Sequence, residues 1–247
     1  MSSKERLLIP GVLLSELFKH HLPEGNHNRD RLIVDAVEQA VHEQFFAGIS
    51  ILPISDEKQK DRLGHIAKEN DLRITVWFNP ILAGEYNKRV ILEPLDRGAH
   101  KNGLIGPVRE AAAIAAELET EHKNFSLCWD TAHAVLCGDT LYSSLYEILP
   151  WMSQIHLSNA VIDPRDPLFG DFHMEIGRPG FLDISKIKEI IRMMNEGIST
   201  DVRKGYADTV VSAEPRIVTV EVRTPKDYDP WVMMDRCHDI LKVGGLG

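Results

Sequence analysis

The 247-residue chain is 43% hydrophobic and 26% charged, enough apolar material for one well-buried core. Its 28 basic against 37 acidic residues leave a formal charge of −9, and no basic run or stripe appears, which sets aside a phosphate-tracking nucleic-acid surface. Cys128, Cys137 and Cys237 form no CxxC, and the apolar run Leu7–Leu14 is broken by Pro10 and Gly11, too short to span a membrane. The expectation is a soluble, cytoplasmic protein with reduced thiols, a single domain over residues 1–247.

In chain order, Leu7–Leu14 reads as a first strand and residues 15–27, with Pro23, Gly25 and three histidines, as a loop. Arg29–Gln44 carries a helical apolar stripe through Leu32, Ile33, Ala36, Val37, Ala40 and Val41. Phe46–Ile54 is a buried-strand run. Asp56–Asn70 is helical, with Asp56 a candidate N-cap. Leu72–Phe78 is a strand stopped by Asn79-Pro80, and Val90–Leu95 follows after a short connection. Ile105–His122 is an Ala-rich helix, Phe125–Asp130 a strand, Leu141–Leu149 a short helix ending at Pro150, and Met152–Ser158 a strand. A long Pro- and Asp-rich loop, Ile162–Gly180, precedes an amphipathic helix at Ile184–Asn195. Arg216–Val222 is a strand and Trp231–Leu241 a final helix.

Strands alternating with helices predict a parallel sheet closed into a TIM-type (β/α) barrel. Only seven strand-like runs are present, so the N-terminal half is expected to be shortened or irregular.

Strand alternation then sorts the side chains. Ser126, Cys128 and Asp130 share a face opposite Phe125, Leu127 and Trp129. Gln154, His156 and Ser158 oppose Ile155 and Leu157. Thr219, Glu221 and Arg223 oppose Val218, Val220 and Val222. The apolar sets suit a helix layer. The polar sets then line the barrel axis, where a carboxylate is costly unless it is paired or binds a cation. With Glu93, which ends Val90-Ile91-Leu92, four such residues on four strands make one candidate metal site: Glu93, Asp130, His156 and Glu221. Three oxygen donors and one imidazole suit Mn²⁺ first, with Mg²⁺, Co²⁺ or Zn²⁺ as alternatives. Singly, each has a plainer explanation. A strand-end carboxylate is often a helix N-cap or half of an ion pair, and Asp171 and His173 could simply cap the long loop.

The motifs Ile91-Leu92-Glu93-Pro94, Asp130-Thr131-Ala132-His133-Ala134, Ile155-His156-Leu157, Gly170-Asp171-Phe172-His173 with Gly177-Arg178-Pro179-Gly180, and Val220-Glu221 together resemble the xylose isomerase-like TIM-barrel superfamily. The resemblance covers residues 90 to 225. That superfamily contains sugar isomerases and epimerases, inosose-processing enzymes and the endonuclease IV family. The resemblance implies that Glu93, Asp130, His156 and Glu221 hold a divalent metal, and that Glu93 and Glu221 also flank the substrate carbon as acid and base. It places His133 against the substrate. Asp171 and His173 match ligands of an additional metal in the endonucleases and also occur in sugar enzymes. The early histidines that the endonucleases need are replaced by Pro53-Ile54-Ser55 and Trp77-Phe78-Asn79, so a complete three-metal site is not expected.

The resulting expectation is an isomerase or epimerase of a keto-sugar or polyol ketone, acting by proton transfer next to a metal-bound carbonyl. Catalytic roles fall on Glu93, Glu221 and His133. Arg178 could hold a further oxygen or a phosphate, Trp77 could wall a sugar face, and His133, Asp171 and His173 are expected to bind substrate. The alternatives are a lyase or dehydratase using the same enolisation with His173 as acid, an endonuclease IV-like phosphodiesterase, and a non-catalytic barrel subunit. The expected partner is a small-molecule carbohydrate, with no nucleic acid and no membrane; the sequence leaves a homo-oligomer open.

Overall fold

A computed structural model describes residues 8–43, 45–76, 88–199 and 215–246. Strand β1 (Leu8–Leu13) leads into a single turn of helix, α1 (Leu14–Leu17), where a loop was expected. The turn forms because Leu14, Leu17 and Phe18, spaced three and four apart, bury one face completely. Then come α2 (Asn26–His42), β2 (Gly48–Ile51), α3 (Glu57–Glu69) and β3 (Arg73–Val76). Asp56 caps α3 as predicted, its carboxylate accepting from the Gln59 amide at 3.0 Å. Trp77 and Phe78 lie outside the described residues.

The second half contains β4 (Val90–Leu92), α4 (Val108–Leu118), β5 (Phe125–Asp130), α5 (Thr131–Leu136), α6 (Leu141–Ile148), β6 (Met152–Val161), β7 (Gly170–Met174), α7 (Ile184–Ser199), β8 (Arg216–Glu221) and α8 (Pro230–Gly244). Seven strands pair in the order β3-β2-β1-β8-β6-β5-β4, and every pair along that path is parallel. This is the shortened barrel that seven strand-like runs predict. Among the described residues no pairing joins β3 to β4. The sheet nevertheless curls on itself: the Thr75 hydroxyl on β3 donates to Gln154 on β6 across the interior, at 3.2 Å.

The predicted alternation holds on β5, β6 and β8. Leu127, Trp129, Ile155, Leu157, Val218, Val220 and Val222 are buried outward, in one apolar core with Ala111, Ala115, Leu145, Ile187, Met234 and Leu241 from the helices. The inward side is polar toward the strand C-termini and apolar below. Ile217 fills the lower interior, where Gly11 and Gly48 on neighbouring strands leave no room for a Cβ.

The long loop after β6 contains a strand that sequence reading did not resolve. Strand β7 folds back antiparallel onto the end of β6, and Asn159 fastens the segment that follows. Its amide donates to the Glu175 and Gly177 carbonyls, both at 2.8 Å, and accepts from the Leu182 amide at 2.8 Å. Gly180 packs directly on this amide, and a Cβ there would overlap its atoms. Gly180→Ala is therefore expected to cost about 1–3 kcal/mol by breaking the Asn159 bonds. Thermal unfolding checks this: an unchanged midpoint would mean that Asn159 does not fasten the segment.

Candidate metal centre

Strand register brings the candidate ligands together. Asp130 pairs with His156 across β5 and β6, and Ser158 pairs with Glu221 across β6 and β8. Glu93 follows the Leu92–Leu127 pair and so stands beside Cys128. Donor atoms of Glu93, Asp130, His156 and Glu221 all lie within 4.8 Å of one another. Asp130, His156 and Glu221 are buried, and the Glu93 side chain is 15% exposed. Glu93, Asp130 and Glu221 stand at the C-terminal ends of their strands, while β6 runs on past His156 to meet β7.

The hydrogen bonds within this cluster do not close. His156 Nδ1 lies 3.0 Å from Glu93 Oε1 and also 3.0 Å from Glu221 Oε2. One ring N–H cannot serve both. The Glu93 contact has hydrogen-bond geometry, whereas Glu221 Oε2 is out of line and left without a bonded partner. Asp130 divides its two oxygens. Oδ1 caps helix α5 by accepting from the His133 amide at 2.7 Å, so the plain N-cap explanation is true of that atom. Oδ2 is buried with no hydrogen-bond partner. Two orphaned carboxylate oxygens, a third carboxylate and an imidazole facing one point fit a divalent cation.

Electrostatics reflect the crowding. Burial first, then the charges of Glu221, Glu93 and Asp171, push the Asp130 carboxyl well above the usual carboxylate range. Burial disfavours charge on His156, yet Cys128, Glu93 and Glu221 together raise the ring well above its ordinary value. Burial would likewise raise Glu221, but the His156 and His173 rings hold it well below the usual range.

No protein-family model matches the chain, and no curated protein matches its sequence. Among solved structures it is similar to D-psicose 3-epimerase from Clostridium cellulolyticum H10, with 12% identity and a TM-score of 0.57 over 96% of this chain and 98% of that one. It is also similar to D-allulose 3-epimerase from a Methylomonas species, with 12% identity and a TM-score of 0.55 over 98% of this chain and 96% of that one. The chain has the TIM-barrel fold of these proteins.

The remaining candidates distribute unevenly around this TIM barrel. His173, in a left-handed conformation with φ of 51°, places Nδ1 2.9 Å from Glu221 Oε1 and so adjoins the cluster. Burial disfavours its charge, but Glu221, Asp171 and Glu16 raise its pKa. Asp171 is buried, its Oδ1 accepting from Ser158 Oγ at 3.3 Å and its Oδ2 lying 3.3 Å from His173 Nε2. His133 sits behind them. Its Nδ1 accepts weakly from the Asp96 amide at 3.4 Å, and its Nε2 is 3.8 Å from Asp171 Oδ2. Arg178 is exposed, and among the described residues no hydrogen bond or ion pair joins it to the cluster.

Four neighbours were given no site role from the sequence. Asp96, completely buried, accepts from the Ala99, His100 and Lys101 amides at 3.0, 2.6 and 3.1 Å. That turn delivers the Lys101 ammonium to 3.5 Å from Asp171 Oδ2 and 3.4 Å from His173 Nε2. Cys128 lies beneath the centre, grouped with Glu93 and His156, and burial pushes its thiol up to about 12. Gln154 contacts the far side of the His156 ring. Gln154 and Cys128 left a sequence signal, since Gln154 shares the inward face of β6 with His156 and Cys128 that of β5 with Asp130.

Proposed function

We propose that the chain is a divalent-metal enzyme that moves a proton next to the carbonyl of a keto-sugar or related polyol ketone, producing an isomer or epimer. One observation carries the reading: Glu93 and Glu221, from two separate strands, meet at the same imidazole nitrogen beside the orphaned Asp130 oxygen. The likeness in fold to two ketose 3-epimerases supports it.

Glu93, Asp130, His156 and Glu221 would hold the ion. When bound, it supplies electrophilic stabilisation of the negative charge that develops as the carbon-bound proton leaves. One glutamate takes that proton, and the other returns one to the opposite face or the neighbouring carbon. His173, with Nδ1 2.9 Å from Glu221 Oε1, favours the ionised form of that carboxylate. Buried His133 and Asp171 wall the site beyond it, and Lys101 presents a cation there. The partner we propose is a small carbohydrate. Among the described residues no helix is long and apolar enough to cross a membrane.

A second reading, loss of a leaving group after the same enolisation, is favoured by two acids in line, His173 beside Glu221 and Lys101 beside His173. Deuterium wash-in separates the two. Mn²⁺-loaded protein is incubated in D₂O with keto-sugars, inososes and 3-keto-glycosides, and carbon-bound exchange is followed by NMR. Exchange with an epimer or isomer supports the proposal. Exchange with loss of water or an aglycone moves the assignment to a lyase, and no exchange on any compound sinks both.

A further inference from the structure

We propose that Gln154 is the positioning residue that sets the tautomer of His156, by turning its amide so that the ring offers a lone pair to the carboxylate cluster. The inference rests on the metal reading above and deepens it.

Gln154 is almost wholly buried on the inward face of β6, two residues before His156. Its Nε2 lies 3.0 Å from His156 Nε2, 3.0 Å from Ser50 Oγ and 3.3 Å from Thr219 Oγ1. Its Oε1 accepts from Thr75 Oγ1 at 3.2 Å. Strands β2, β3, β6 and β8 thus each contribute a group to one small polar network under the metal ligands.

A neutral imidazole has one N–H and one lone pair, and the partner of one nitrogen fixes the other. In a neutral ring, an amide nitrogen donating to His156 Nε2 puts the proton on Nδ1. It then points at Glu93 and Glu221, each 3.0 Å away, which suits the carboxylates alone. A cation among those carboxylates needs the opposite ring: lone pair on Nδ1, proton on Nε2. Gln154 must then present its carbonyl oxygen to Nε2. A half-turn of the amide does this. After it, Oε1 accepts from the His156 Nε2–H, and Nε2 donates to the Thr75 hydroxyl.

The turn leaves no group stranded, because every other member of the network is a hydroxyl. Ser50, Thr75 and Thr219 can each donate or accept, so all their bonds can reverse together. A metal-ligating histidine is usually oriented through its second nitrogen by a carboxylate or a backbone carbonyl, which only accepts. An amide among hydroxyls can serve either neutral tautomer, and it meets the doubly protonated ring with the same carbonyl that the ion-bound ring needs. A Gln154 that merely fills the interior would leave the tautomer indifferent to its chemistry, and any substitution would act through stability alone.

The test compares wild type, Gln154→Met and Gln154→Glu. Mn²⁺ affinity is measured by calorimetry, and the His156 ring nitrogens are observed by ¹⁵N NMR in the metal-free and Zn²⁺-loaded proteins. Gln154→Met keeps the length and loses the acceptor, so Mn²⁺ should bind about 10–100-fold more weakly. Gln154→Glu keeps an acceptor and should bind within about threefold of wild type, far tighter than the Met variant. The Zn²⁺-loaded wild type should show its ring proton on Nε2. Equal affinity for Gln154→Met and wild type overturns the inference, as does Gln154→Glu no better than Gln154→Met, or a loaded ring with no proton on Nε2. The wild-type result can overturn the inference even where a variant does not fold; support for the role of Gln154 comes from the affinity difference between Gln154→Met and Gln154→Glu. Wild type that binds no divalent ion overturns the metal reading itself; wild type that binds while Gln154→Met binds equally well removes only the role of Gln154.

Discussion

Glu221→Gln should lower turnover by about 10²–10⁴-fold, the loss expected when a positioned proton carrier is removed. The side chain keeps its size, and the amide can still face His173. What disappears is a carboxylate held ionised by two imidazoles, His156 through Oε2 and His173 through Oε1. The measurement is made at saturating Mn²⁺, because the same residue is a proposed ligand. Glu93→Gln is the reciprocal experiment. In a two-carboxylate mechanism each variant should retain exchange with solvent deuterium from one epimer only, since the surviving glutamate can still take and return a proton on its own face. The two variants should therefore fail on opposite epimers. If Glu221→Gln exchanges both epimers at wild-type rates, Glu221 is not a proton carrier. If both variants lose exchange on both epimers, the glutamates act only through the metal.

Why these two glutamates could be read from the chain while their surroundings could not is a matter of periodicity. Asp130, His156 and Glu221 interrupt strands whose other faces are apolar, Leu127 and Trp129, Ile155 and Leu157, Val218 and Val220, so alternation singles them out. Parallel register then does the rest, pairing Asp130 with His156 and Ser158 with Glu221. The Asp96 turn has no such signature. It is built from one carboxylate accepting from three successive amides, a local solution that many loop sequences could adopt, and it delivers Lys101 from a stretch with no period. Strand β7 was hidden for a related reason. Gly170–Met174 is five residues long and contains Asp171 and His173, so nothing in it reads as a strand until the end of β6 supplies a partner. Helix α5 is six residues, too short for a helical stripe. Gln154 was placed on the correct face, but an amide has no chemistry that announces a role before its four neighbours are known.

Metal affinity should rise with pH, because the ion displaces protons that the fold holds more tightly than usual on His156 and Asp130. A ligating His156 must lose the proton on Nδ1, and this ring is raised well above its ordinary 6.5 by Cys128, Glu93 and Glu221 against the opposing effect of burial. Asp130 must be ionised, and burial with the charges of Glu221, Glu93 and Asp171 holds its proton well above the ordinary 3.8. Glu221 is already ionised and releases nothing. While both groups are protonated in the free protein, affinity should rise about a hundredfold per pH unit, falling to tenfold and then levelling as each proton leaves on its own. Stability of the metal-free protein should move the other way. A histidine whose folded pKa is raised contributes stability that is complete below about pH 6.5 and is lost as pH rises through the folded value. His156 and His173 both belong to this class. Asp130 acts in the same direction, since the fold favours its neutral form. The metal-free protein should thus melt at a lower temperature at pH 8 than at pH 6, with the melting point recovered by Mn²⁺, and recovered most at the higher pH. Calorimetry in buffers of different ionisation enthalpy counts the protons released. A count near zero, with affinity flat between pH 6 and 8, would mean that His156 does not bind the ion.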